Sequence, residues 1–205
     1  DFAVPMTIAI MCEQMGLHHV DGEKIARWAR AFGAVRGNQT KEQMLIETKH
    51  FCDLQHYIIA RVKERQAQRT EDMISDLIYA REEGSANPTL TFEEVVSLTR
   101  ALVIGGVETI STALSNVLYL VATNPAIAAK LDESYDDDSR MSKFVEEAMR
   151  IEPPARGLFR MTTREVELGG RRVPANSMIC MLFASGNDDE AVFEHPDQLD
   201  LARAP

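Results

Sequence analysis

The sequence predicts a mainly α fold with a small antiparallel β-sheet, arranged around one long buried central helix. Three observations carry this. Apolar residues recur at helical spacing from Pro5 to Ile151. The spacing then changes to alternation over residues 165–183, around a Gly169-Gly170 turn. Between these regions lies Ala101–Leu118, apolar on nearly every side, the buried middle of a helix over about residues 91–123. Helices followed by strands make one mixed domain across 1–205. Its helical part covers 1–155, its small β part 156–185, and an irregular segment 186–205.

The elements follow in order. Pro5–Met15 reads as a helix with Pro in its first turn, closed by Gly16. Asp21 is placed to cap Glu23–Phe32, whose apolar stripe is Ile25, Trp28, Ala29 and Phe32; Trp28 and Phe32 read as core. Gly33–Thr40 is a loop. Lys41–Arg65 is a long amphipathic helix with Met44, Leu45, Thr48, Phe51, Cys52, Ile58, Ile59 and Val62 on its apolar side. Thr70–Arg81 starts with Thr70 as cap and turns Met73, Ile74, Leu77 and Ile78 inward. Gly84–Pro88 breaks the chain, and Thr91-Phe-Glu-Glu94 is a capping box that launches the central helix. Asn124-Pro125 ends that helix and starts a short one to Leu131. Asp132–Ser139 reads as a solvated acidic loop, and Lys143–Ile151 as a helix stopped by Pro153-Pro154. Glu165–Leu168 and Arg171–Val173 form a hairpin, and Ser177–Phe183 a third, buried strand.

Composition narrows the function. The 205 residues carry a net charge of −10, which argues against nucleic acid or an anionic membrane surface as partner, and against a generic helical regulator acting on nucleic acid. Cys12, Cys52 and Cys180 show no paired spacing, so neither a disulfide framework nor a zinc site is expected, and each reads as a small buried hydrophobe suited to a reducing cytoplasm. No unbroken apolar run approaches the roughly 18 residues of a membrane span. The chain starts without Met or a signal segment, as though cut from something longer.

The central helix carries the chemistry. Its middle holds Gly105-Gly106, the carboxylate of Glu108 and the hydroxyl of Thr109. A helical Gly costs about 1 kcal/mol against Ala, and a buried carboxylate costs more unless it is solvated or paired. Both together point to a cavity. Ala101, Gly105 and Thr109 recur every four residues and share one face. Small residues there leave room for a flat group, and Glu108 beside that face can move protons through water. Two glycines can equally mark close helix packing, and a helical Thr often bonds back to the carbonyl four residues earlier.

Gly-Gly-Val-Glu-Thr in a long helix, then Glu147-Ala-Met-Arg150 running into Ile-Glu-Pro-Pro, then Arg160 before the hairpin, resemble the cytochrome P450 family in the same order. The resemblance covers Phe2 to Pro205 and is closest to the soluble bacterial type. It implies that Glu108 and Thr109 steer protons to iron-bound oxygen and that Gly105 and Gly106 make room for haem. It also implies that Arg160 binds a haem propionate and that Glu147 and Arg150 form a structural ion pair. Ala101, Ile104, Leu158 and Phe159 would line the pocket for a small apolar organic substrate, with Gly33–Thr40 as a lid.

The complete protein would be a cytoplasmic haem-thiolate monooxygenase. It would contain haem b and receive electrons from NAD(P)H through a ferredoxin-type or other donor. The sequence departs from the family at two points. Gln198 stands where the family has an Arg or His in its Glu-x-x-Arg network. The cysteine-bearing loop that ligates iron is absent, so this chain offers no metal ligand and is expected to be inactive alone. The alternative is a non-catalytic binding or interaction module built on the same scaffold.

Overall fold

The structure, a computed structural model, describes residues 2–34, 39–81 and 89–203. The helices are α1 (Ala3–Met15), α2 (Gly22–Ala34), α3 (Lys41–Ala67), α4 (Met73–Tyr79), α5 (Phe92–Thr123), α6 (Pro125–Ser134), α7 (Asp138–Ile151) and α8 (Phe183–Asn187). The strands are β1 (Leu158–Met161), β2 (Val166–Leu168), β3 (Arg171–Val173) and β4 (Met178–Met181). The chain divides into two compact units, Asp1–Ser111 and Thr112–Pro205. The proposed lid at Gly33–Thr40 and the breaker at Gly84–Pro88 fall on segments 35–38 and 82–88, and these lie outside the described residues, as does the Phe32 side chain.

In the first unit the core gathers one stripe from each helix. Met15, Ile25, Leu54, Ile58, Val62, Ile74, Val103 and Val107 are fully buried within it. A fully buried Leu or Ile contributes about 1.5–3 kcal/mol. Trp28 packs partly buried against this core, its ring 5.6 Å from that of Tyr57.

A polar clamp joins three helix ends. α1 closes at Gly16, which adopts φ +68°. Arg65, at the end of α3, donates to the Gly16 carbonyl and binds Asp72 Oδ2 at 2.6 Å. Asp72 caps α4 by accepting from the Ser75 N–H at 2.8 Å. Thr70, expected as that cap, instead donates its hydroxyl to Asp72.

α5 has the expected bounds, and its capping box is present: the Thr91 N–H donates to Glu94 at 2.8 Å and the Glu94 N–H to Thr91 Oγ1 at 3.2 Å. Its burial is a correction. Val95, Val96, Thr99, Val103, Val107 and Ser111 form one buried side. Leu98, Leu102, Ile110, Leu118 and Tyr119 stay exposed. An 18-residue stretch of α5 has a mean hydropathy of 1.4, which makes it the one described helix long and apolar enough to cross a membrane, although charged and polar residues break up its apolar sequence.

Further corrections are local. On α3, Met44 and Leu45 are exposed and the buried stripe begins at Leu54, because nothing described packs over its first turns. Cys12 is buried, but Cys52 and Cys180 are exposed. Residues 132–139 are largely helical: α6 runs to a fully buried Ser134, and Asp137 caps α7 through the N–H groups of Ser139 and Arg140. The acids there serve as helix ends.

In the second unit, Phe144 and Ala148 of α7 meet Leu120, Ile127 and Leu199. The hairpin is as expected, with Glu167 opposite Arg172 and both turn glycines at positive φ. The third strand differs. β4 pairs antiparallel with β1, Leu158 facing Met181, and leaves the hairpin as a separate pair. Met178 and Cys180 of β4 are exposed, so it is not a buried strand. Thr162 bridges this region: it accepts from the Ser177 N–H at 2.9 Å and donates to the Pro174 carbonyl at 2.7 Å.

Candidate functional site

The first group of candidate residues is one side of α5. Ala101, Gly105, Glu108 and Thr109 are all exposed on it. A methyl group placed on Gly105 would meet nothing within 4 Å, so this glycine opens space. Gly106 differs: a methyl group there would stand 2.1 Å from Met11 Cε, so this glycine lets α1 approach. The two sequence readings of the pair are thus divided between its members. The Thr109 hydroxyl donates to the Gly105 carbonyl, the back-bond expected of a helical Thr. Its oxygen lone pairs remain available to accept a hydrogen bond.

Beside this face lies a cavity of about 400 Å³ with an almost wholly apolar lining. Ala101, Gly105 and Gly106 reach its wall, together with Met11, Leu102 and Ile110. Ile104 does not. It sits about 100° around the helix from Gly105 and packs, partly buried, against the core of the first unit. Glu108 and Thr109 lie on the open face but not on this cavity's lining.

The second group is built on α7. Glu147 and Arg150, one helical turn apart, are both buried. Arg150 holds the carboxylate with two parallel bonds, Nε to Oε1 at 2.8 Å and Nη2 to Oε2 at 3.2 Å. Its other N–H groups reach the carbonyls of Asn187 at 2.9 Å, Pro196 at 2.7 Å and Gln198 at 3.0 Å. These five contacts match the five donors of a guanidinium.

Glu147 also accepts from the Asp200 N–H at 3.0 Å and faces Arg203 Nε at 3.1 Å. The Phe193 ring lies 5.2 Å from the Arg150 guanidinium and 5.5 Å from that of Arg203. Burial alone would raise the Glu147 carboxyl, but the bonds from Arg150, Asp200 and Arg203 outweigh it and hold the group below the ordinary range. The irregular segment after residue 186 is therefore fixed through its backbone to α7. Arg203 was missed from sequence; it lies five residues past the position the motif marked, and Gln198 supplies only its carbonyl.

The third group is β1. Arg160 is exposed, and its Nη1 donates to the neighbouring Phe159 carbonyl at 2.9 Å. It pairs with no carboxylate among the described residues. Successive strand side chains point to opposite faces, so Leu158 shares the Arg160 face and Phe159 the other. Among the described residues no cluster of acids, His and Cys is arranged to hold a metal ion. Burial raises the Cys12 thiol, which keeps it protonated.

The cytochrome P450 family model matches residues 38–203. This chain belongs to the cytochrome P450 family. Its relatives include the cyclomarin C epoxidase CymV of Salinispora arenicola, 31% identical over 99% of this chain and 50% of that protein. The erythromycin C-12 hydroxylase of Saccharopolyspora erythraea is 30% identical over 98% of this chain and 50% of its own length. Among solved P450 structures, the open form of EryK from S. erythraea superposes with a TM-score of 0.82 at 29% identity, covering 99% of this chain and 51% of that one. The P450 CYP109Q5 from Chondromyces apiculatus gives 0.77 at 32%, over 99% and 48%. The chain thus spans about half the length of the P450 relatives it matches.

Proposed function

We propose that the complete P450 containing this chain is a haem-thiolate monooxygenase that inserts one oxygen atom into a bulky, mainly apolar organic molecule. The observation that carries this is the open space at Gly105, on an exposed helix face shared with Ala101, Glu108 and Thr109. The absence of side-chain bulk at Gly105 fits a flat group against α5, and the acid-free Arg160 guanidinium fits a propionate. When bound, haem b would supply oxygen activation, and Arg160 and the flat Ala101–Gly105 face would be this chain's contacts to it.

The chain's own residues have narrower tasks. Glu108, exposed to water, exchanges protons with solvent at its carboxylate. Thr109 commits its proton to the Gly105 carbonyl and offers its oxygen as an acceptor for a positioned water. Ala101 and Gly105 keep the face flat. Glu147, Arg150 and Arg203 hold α7 and the segment after it in place. Relatives named for epoxidation of cyclomarin C, hydroxylation of erythromycin and C26 oxidation of a steroid support a large natural-product substrate. Electrons would come from NAD(P)H through a ferredoxin-type donor, and the protein would work in the cytoplasm.

The test is the carbon monoxide difference spectrum of the reduced complete protein. A thiolate-ligated haem band supports the proposal, and a haem-free protein that turns over no substrate rejects it.

A further inference from the structure

We propose a second ligand site in the first unit: a groove between α1, α2 and α3 that binds a monocarboxylate with an apolar body through Arg27 and Arg30. The groove has a volume of about 690 Å³, within the range of small-molecule sites. Its apolar wall includes Val4, Pro5 and Ile8 of α1 and Ala26 and Ala31 of α2. Arg27 and Arg30 project into it from one side of α2, a single helical turn apart, where side chains are neighbours. Among the described residues, neither guanidinium has an ion-pair or hydrogen-bond partner.

The rest of the lining decides the ligand's charge. His19 and His50 add polar groups that can carry positive charge, while Glu23 and Glu47 add carboxylates. Glu47 is partly engaged, its Oε2 lying 3.8 Å from His50 Nδ1. A dianion such as a phosphate monoester would face Glu23 and Glu47 with two charges. A monocarboxylate meets the arginine forks with one and lays its chain along Val4, Pro5 and Ile8. Arginine's planar fork matches a carboxylate with two parallel bonds. The site is independent of haem and of the reaction proposed above.

The experiment is calorimetric titration of the 205-residue chain with sodium octanoate, with 1-octanol and phenyl phosphate as comparators. Saturable one-to-one octanoate binding is expected, with octanol weaker by at least about tenfold, the loss of one charge-assisted contact. Arg27→Gln/Arg30→Gln should weaken octanoate to the octanol level while leaving the circular dichroism melt unchanged, since both side chains are exposed. Ala9→Trp, which fills the groove from α1 and leaves both arginines in place, should abolish binding of octanoate and octanol alike. Equal affinity for octanoate and octanol would overturn the proposal, as would preference for phenyl phosphate, absence of saturable binding, or octanoate affinity unchanged in the double variant.

Discussion

Arg203 Nε stands 3.1 Å from Glu147 Oε1, across 56 residues of chain, and makes the Glu147–Arg150 pair a three-member cluster. One carboxylate thereby faces two guanidiniums and a backbone N–H, with the Phe193 ring against both arginines. Glu147→Gln keeps the shape but leaves the buried Arg150 and the half-buried Arg203 without an anion. It should destabilise the second unit by about 3–5 kcal/mol. Arg203→Leu removes one cation and leaves the Arg150 fork intact, so its cost should be clearly smaller. Urea unfolding followed through α7 by hydrogen exchange would read both, and equal losses in the two variants would contradict this ranking.

Acid should act on both units by the same logic. Glu147 and Asp72 are each held below the ordinary carboxylate range in spite of burial. Glu147 owes this to Arg150, Asp200 and Arg203, and Asp72 to Thr70, Ser75 and Arg65. A carboxyl with a depressed folded pKa contributes stability that is present above its unfolded pKa and is lost as pH falls through the folded one. Stability should therefore decline progressively below the ordinary carboxylate range. Glu147→Gln should flatten that decline for the second unit only, and Asp72→Asn for the first only. Thermal melts across an acid pH series would check this, and parallel slopes in wild type and variants would count against it.

Three glycines should respond differently to alanine. Gly16 combines φ +68° with Asp72 Oδ2 only 2.1 Å from the position of an added methyl. Gly16→Ala should cost at least about 2 kcal/mol, since a left-handed conformation alone costs roughly 1–2 for a residue with a side chain. Gly105→Ala meets nothing within 4 Å and should stabilise α5 by up to about 1 kcal/mol. In the complete P450 the same change should weaken haem retention, a gain in folding set against a loss of function. Gly106→Ala should lie between, because the flexible end of Met11 can move aside. Chemical denaturation of the three variants, with haem content of the complete protein, tests the order.

The fold was legible where local chemistry decides structure. The Thr91–Glu94 capping box, Asn124 before Pro125, and Gly16 as a helix stop each satisfy backbone groups within a few residues. The Gly169-Gly170 turn was legible for the same reason. What the sequence misjudged depends on partners far along the chain. β4 pairs with β1 and not with the adjacent hairpin, because register is set by tertiary packing. α5 reads as buried all round, yet Leu98, Leu102, Ile110, Leu118 and Tyr119 stay exposed while its buried residues divide between the cores of the two units. At the site, the motif spacing located Glu147 and Arg150, whereas Arg203 belongs to no local pattern. β1 was not legible, because the four residues Leu158–Met161 are too short a run to show an alternating pattern, and this strand turns Leu158 and Phe159 to opposite faces.

The last prediction concerns Thr109, whose single proton can serve only one acceptor at a time. In this structure it goes to the Gly105 carbonyl, so the hydroxyl oxygen is an acceptor on the open face of α5. Thr109→Val removes both functions at nearly constant shape. Thr109 is exposed, and the Gly105 carbonyl keeps its intrahelical partner, so folding stability should change by less than about 0.5 kcal/mol. Thr109→Ser restores the hydroxyl and should behave as wild type. In the complete P450, Thr109→Val should lower the fraction of reducing equivalents that reach product by severalfold with substrate affinity unchanged, because proton positioning is lost and binding is not. The ratio of product formed to NAD(P)H consumed, measured for wild type, Val and Ser, decides it. Equal coupling in all three would remove Thr109 from the proton path, and coupling restored by Ser would tie the effect to the oxygen rather than to the shape of the side chain.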